Sequence, residues 1–410
     1  MGRAYRTRRA ILALVVATWA GAASAHQAEP GWVATWAAPQ QRADAAQSEP
    51  TGGFPDTTLR QVLRVSLGGS RLRVRFSNAF GATPLTLARA RLALSAGGSA
   101  VMAGSDRALA FAGRPSVVIR PGATVETDAV AFELPPLAEV AVSVYLRGAP
   151  AELTAHPGSR TTSYLQTGDA VSAADLGTAA RVDHWYFLSG IDVLAKDAAA
   201  IAVLGDSITD GRGTTTNGND RWTDRLAERL QASPKTAHLG VINAGMGGNR
   251  LLNEGLGPSG LARLDRDVLA QPGVRFLIVL IGTNDLGTAK AAGAEGKPGT
   301  SAVDLIGGYE QVVKRAHARG LRVYGGTLPP FEGSAYFDAA TEAARQSVNA
   351  WIRTSGAFDA VVDFDAVMRD PHQPSRLRED AGSADHLHPG PAGYRLMGDA
   401  VELSLFASRP

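Results

Sequence analysis

Four short stretches of this 410-residue chain hold the side chains that an acyl transfer would need. Gly205-Asp206-Ser207 offers a hydroxyl, and Asp385-His386-Leu387-His388 offers a carboxylate and imidazoles. Between them lie a glycine loop, Asn243-Ala244-Gly245-Met246-Gly247-Gly248-Asn249-Arg250, and a side-chain amide in Gly282-Thr283-Asn284-Asp285. A serine hydroxyl is a poor nucleophile until a base takes its proton, and histidine has a suitable pKa. A carboxylate on the other ring nitrogen holds the imidazole in one tautomer. The tetrahedral intermediate needs donors aimed at its oxyanion, which a backbone N–H in a glycine loop and an asparagine amide supply. Ser207, His388, Asp385, Gly248 and Asn284 fill these roles.

The elements around these stretches place them together. Ile201 to Leu204 reads as a buried strand that Gly205 breaks, and Trp222 to Leu230 reads as a helix with Leu226 and Leu230 on one face. Further strand runs at Val241-Ile242, Phe276 to Ile281, Leu321 to Tyr324 and Val361-Val362 alternate with helical segments. Those helices are expected near Leu261 to Leu269, Ser301 to Arg319, Ala339 to Thr354 and Pro391 to Phe406. Such βα alternation predicts a parallel sheet covered by helices on both faces, a three-layer α/β/α domain over residues 198–408. Ligands of open parallel sheets bind beyond the carboxyl ends of the strands, and the stretches at Gly205, Asn243 and Gly282 each follow a strand. The Thr288 to Thr300 segment reads as a mobile surface loop.

Residues 31–193 read differently. Thr58 to Ser66, Arg71 to Asn78 and Pro84 to Ser95 alternate apolar with polar or cationic residues, and shorter runs follow at Ser116 to Arg120, Val130 to Leu134 and Val140 to Leu146. Regularly spaced short strands predict an all-β sandwich of jelly-roll type. Gly68-Gly69-Ser70 reads as a hairpin turn, and Arg71, Arg73 and Arg75 as the solvated side of an edge sheet.

The four stretches, in this order, resemble the sequence blocks of the SGNH hydrolase superfamily, the GDSL esterases and lipases, over roughly Ala198 to Ser408. The resemblance implies Ser207 as nucleophile and Asp385 with His388 as the rest of a triad. It also implies an oxyanion hole made of the Ser207 and Gly248 backbone N–H groups and the Asn284 amide. The family pattern selects Gly248 over Gly247 and His388 over His386. The β region is similar in layout to that of two-domain carbohydrate esterases of the superfamily.

Other residues have plainer readings. Asp206 and Asp210 are expected to cap turns, Asp285 to brace its loop, and Tyr394 to lie in the core. Asn249 and Arg250, with Thr209, Asp210 and Asn253, are expected to give the site a polar rim, the first two reaching substrate. No chemistry is assigned to His156, His184, His238, His317 or His372, and no metal or organic cofactor is expected. Trp32, Trp36, Trp185 and Tyr186 are expected to pack rather than to stack on sugar.

A net charge of +2 with no long run of one sign gives no footprint for nucleic acid. Arg3, Arg6, Arg8 and Arg9 before the apolar run Ala10 to Ala20, with Ala23-Ser24-Ala25 after it, read as a signal peptide over residues 1–25. Thr7-Arg8-Arg9-Ala10-Ile11-Leu12 also resembles a twin-arginine signal. No run approaches the ~20 apolar residues of a membrane span, so no stable membrane insertion is expected. With no cysteine, the exported chain has neither disulfides nor thiolate metal ligands. The sequence therefore predicts a secreted or periplasmic serine esterase acting on short-chain esters, such as O-acetyl groups of small carbohydrates or polysaccharides. A lipase, lysophospholipase or arylesterase of longer acyl chains is the alternative enzyme. A carbohydrate-binding protein with a vestigial hydrolase fold is the alternative outside the enzymes.

Overall fold

The computed structural model describes residues 31–43, 54–148, 152–289 and 299–407, together with Met1. The expected signal peptide, apart from Met1, and most of the expected Thr288 to Thr300 loop lie outside the described residues.

The C-terminal part is built on five parallel strands in the order Leu239–Gly245, Ala199–Gly205, Val274–Leu280, Arg322–Gly326, Ala360–Val362. The first of these in the chain, Ala199–Gly205, lies between the second and the third, so the connections leave it in opposite directions. That reversal opens a crevice at its carboxyl end. Ala200 to Leu204 are fully buried, as the unbroken apolar run requires of a central parallel strand. Helix Trp222–Gln231 packs on the last helix, Pro391–Ala400, and Ala302–His317 packs on Ala339–Thr354. Ser301 and Asp338 cap the latter two with capping boxes. The helix expected over 261–269 is a short α segment, Gly260–Leu264, that widens into a π turn at Asp265–Leu269. The last expected helix stops at Ala400, and a separate 3-10 turn spans Leu403–Phe406.

The N-terminal region is rich in antiparallel strands. One sheet runs Trp32–Ala37, Leu188–Leu194, Gly69–Ser77, Val130–Leu134, and a second is centred on Thr57–Arg64, Glu139–Leu146 and Leu85–Gly97. Leu72, Val74 and Phe76 face the core with no exposure, as their alternation predicts.

Two expectations for this region are corrected. Gly68-Gly69-Ser70 does not close a hairpin, because Thr57–Arg64 and Gly69–Ser77 belong to different sheets. The connector between them is itself buried: the Ser66 hydroxyl donates to the Thr35 carbonyl (2.7 Å) and accepts the Val241 N–H (2.8 Å), stitching the region to the parallel sheet. The arginine face is also not solvated. Arg71 alone of the three is exposed, whereas Arg73 and Arg75 both lie 3.1 Å from the fully buried Asp192 carboxylate, and Arg75 also reaches Gln271 of the α/β part. That face meets protein, and a buried carboxylate must be paired.

Trp32, Trp36, Trp185 and Tyr186 are all buried, Trp36 meeting Trp185 edge-on at 4.9 Å. One hydrophobic cluster contains strand residues of both regions, and Gly31–Pro410 forms a single unit by its contacts. Among the described residues no helix is long and apolar enough to cross a membrane.

Candidate active site

Ser207 opens a one-turn helix, Ser207–Asp210, directly after the strand Ala199–Gly205. Asp206 is its N-cap, its carboxylate accepting the Ile208 N–H at 3.0 Å. The turn is tight enough that a Cβ on Gly205 would run into the Thr209 side chain. At this position the Ser207 backbone N–H has no partner within its helix, and the side chain faces the crevice.

The Ser207 Oγ is 2.8 Å from Nε2 of His388, and Nδ1 of His388 is 2.6 Å from Oδ2 of Asp385. The other carboxylate oxygen accepts from the Ser383 hydroxyl and from the Leu387 and His388 backbone N–H groups. Partial burial alone would raise the Asp385 pKa, but these donors and the imidazole hold it well below the carboxylate range. An ionised Asp385 places the ring proton on Nδ1 and leaves Nε2 able to accept. Burial lowers the pKa of His388 against the opposing pull of Asp385, and the Arg212 and Arg160 charges lower it further.

Across the crevice, Gly248 has φ of +65°, a conformation that favours glycine. Asn284 stands in the first turn of Thr283–Gly287, after the strand Val274–Leu280. Its Nδ2 donates one proton to the Asn249 carbonyl (3.0 Å), and its Oδ1 accepts the Tyr336 hydroxyl (3.0 Å). With Oδ1 engaged, the amide cannot flip, and its second N–H remains to face the cleft. Burial raises the Tyr336 pKa, so the hydroxyl keeps its proton as donor. The Asp285 carboxylate accepts the Leu251 and Leu252 N–H groups at 2.7 and 3.0 Å, bracing the glycine loop against this helix. Burial pushes its pKa up to about 6 despite those donors.

These residues line one cleft of about 360 Å³, which contains Ser207, Gly248, Asn284 and His388. Four of the five predicted rim residues do not line it. The Asn249 side chain is fully buried, accepting from Arg263 (2.9 Å) and donating to the Pro258 carbonyl (2.8 Å). Arg250 folds back onto the Glu254 carbonyl of its own loop. Thr209 is buried, and Asn253 points to Thr300 at 3.4 Å. Asp210 does line the cleft, but its carboxylate is held by His156 at 2.8 Å. His156 also faces the Pro39 carbonyl (2.9 Å) and stacks on Trp185.

The polar rim comes instead from residues that the linear motifs missed. Gln41, Arg160 and His184 belong to the antiparallel region, and Arg212 follows the Ser207 turn. Beneath the site, the fully buried Arg263 guanidinium donates to the carbonyls of Gly205 (2.8 Å) and Ala244 (2.7 Å), tying two strand ends together. Tyr336 was reachable by the strand-end rule, because it lies in the loop after Arg322–Gly326. Nothing in the local sequence marks the others.

Residues 203–396 match the family model of the GDSL-like lipase/acylhydrolase family. The chain carries a GDSL acylhydrolase domain. Members of this family are ester-hydrolysing enzymes, and the SGNH-type fold belongs to the C-terminal part of the chain. The acylhydrolase domain is similar to three solved structures. The GDSL-like lipase of Bacteroides thetaiotaomicron is 20% identical, with 50% of this chain and 87% of that one covered and a TM-score of 0.36. The lipase/acylhydrolase of Enterococcus faecalis is 20% identical, over 49% and 92%, with a TM-score of 0.37. The aryl esterase of M. smegmatis is 17% identical, over 51% and 99%, with a TM-score of 0.40. No curated protein matches the sequence significantly.

Proposed function

We propose that the chain is an exported serine esterase that removes short acyl groups, above all acetyl, from carbohydrate-like alcohols. The observation that carries this reading is the hydrogen-bonded series Asp385, His388, Ser207 with the Asn284 amide held across the cleft. Nε2 of His388 takes the hydroxyl proton as Oγ of Ser207 attacks the ester carbonyl. The backbone N–H groups of Ser207 and Gly248, with Nδ2 of Asn284, receive the oxyanion. The imidazolium, stabilised by Asp385, passes its proton to the departing alcohol. Water activated by the same histidine then attacks the acyl-enzyme and frees the acid.

In this reading a jelly-roll-like sandwich over residues 31–193 builds one wall of the cleft, and a three-layer domain over 198–408 holds the reacting groups. The arginine-led apolar N-terminus supports export. The polar side chains of the wall support a hydroxylated alcohol, because they offer little apolar area to a long chain. Each methylene buried against apolar surface would contribute about 0.8 kcal/mol. The reading predicts kcat/KM falling from acetyl to octanoyl esters, and acetate released from an acetylated sugar. A rate rising toward octanoyl would favour a lipase or lysophospholipase.

Asn284→Ala is expected to lower kcat by about 10²–10³ with a smaller change in KM, as for loss of an oxyanion donor. Tyr336→Phe leaves the amide in place but loosens it, with an expected loss of about two- to tenfold, the worth of one neutral hydrogen bond. Steady-state kinetics on a chromogenic acetate checks both. A loss confined to KM for Asn284→Ala would make it a ground-state binding group.

A further inference from the structure

The cleft wall holds two guanidinium groups, Arg160 and Arg212, that the proposed chemistry does not use. No described residue forms an ion pair or side-chain hydrogen bond with either, and the Nε of Arg160 is buried without a partner. The one carboxylate in the lining, Asp210, is occupied by His156. The cleft therefore presents two uncompensated positive charges beside the reacting serine.

Both arginines are held by their backbones. Arg160 has φ of +50°, a strained value for a residue with a Cβ, and its carbonyl accepts the Asn217 N–H at 2.8 Å. The Arg212 N–H donates to the Ser207 carbonyl (3.0 Å), and its carbonyl accepts the hydroxyl of the fully buried Tyr394 (2.7 Å). One arginine comes from the antiparallel region and the other from the turn after the nucleophile, so they close on the cleft from different parts of the chain. Strain and fixed backbones at a cleft wall are features of groups aimed at a ligand.

The side on which they act follows from the chemistry. In the proposed mechanism the alcohol leaves toward His388, which protonates it, while the carbonyl oxygen turns to Gly248 and Asn284. Gly213, next to Arg212, lies against His388 and the Pro389 carbonyl, and Arg160 is tied through its carbonyl to Asn217 of the same loop. Both arginines therefore approach the cleft beside His388, toward which the alcohol leaves.

We infer that the preferred ester carries an anionic group on its alcohol part, which Arg160 and Arg212 bind together. A carboxylate suits the planar guanidinium fork, as does a phosphate; an acylated acidic sugar is the simplest substrate of this kind. The inference rests on the esterase reading above. Two like charges in a cleft also raise the local concentration of an anionic substrate, an effect that salt screens.

The test compares three acetate esters of one methyl glycoside: the 6-carboxylate, its neutral 6-amide and the 6-phosphate. The wild-type enzyme is expected to show kcat/KM about 10- to 100-fold higher for an anionic ester than for the amide, from hydrogen bonds to a charged group. Which anion is preferred separates an acidic sugar from a phosphorylated one. That ratio should shrink in Arg160→Gln and Arg212→Gln and approach one in the double variant. In the wild type, 0.5 M NaCl should lower it too, a readout that needs no variant. A wild-type ratio near one, or a ratio that the double variant and salt leave unchanged, overturns the inference while acetate release leaves the esterase reading standing. Absence of hydrolysis for all three esters and for a chromogenic acetate would instead remove the esterase reading, and this inference with it.

Discussion

Ser207→Ala is expected to lower kcat by about 10⁴–10⁶, the scale on which loss of a triad nucleophile acts. The fold should survive, because the side chain is small and, among the described residues, its hydroxyl hydrogen-bonds the side chain of His388 alone. Hydrolysis of a chromogenic acetate, with circular dichroism and thermal melting of the same preparation, checks both halves. Retention of more than about one hundredth of wild-type activity would move the nucleophile elsewhere. The loss should appear in kcat rather than KM, since Oγ makes its decisive bond in the transition state.

Comparable loss is expected for His388→Ala, and the neighbouring histidine supplies the control. His386 is exposed, has φ of +55°, and its ring lies against Gly333 in a separate hollow with Glu332 and His372. His386→Ala should therefore retain most activity, and the reverse result would shift the triad by two residues. The wild-type pH profile tests the same assignment. The base must be neutral to accept the serine proton, so kcat/KM falls as pH drops through the His388 pKa. Burial, with Arg212 and Arg160, holds that pKa below its ordinary 6.5, so the acid limb should fall below 6.5. A limb centred above 6.5 would contradict this environment for the base.

The groups brought together at Ser207 were legible because they lie in short stretches, three of them at strand ends and Asp385 with His388 just before the last helix. A nucleophile turn needs a particular order of small and polar residues, and that order survives in one dimension. The parallel sheet was equally legible, since a doubly covered strand must be apolar along its whole length, as Ala200 to Leu204 are. The antiparallel region was read less well. Alternation says which residues share a face of one strand but not what covers that face, so Arg73 and Arg75 looked solvated until Asp192 and Gln271 met them. Nor does a Gly-Gly-Ser spacing tell whether the next strand returns to the same sheet or crosses to another.

By itself, then, the sequence determined the reaction class, the order of the strands' chemistry and the identity of the groups now in line at Ser207. Those features are set by local spacing and by the apolar demands of a buried sheet. Only the tertiary structure decided what surrounds the ester. Asn249 lies in the right block, yet its side chain turns inward because buried Arg263 needs an acceptor there. Arg160 and His184 lie far from every motif, yet they form the wall because the antiparallel region packs over the crevice. A cleft wall is assembled from segments distant in the chain, and such contacts depend on packing that no local pattern of residues records.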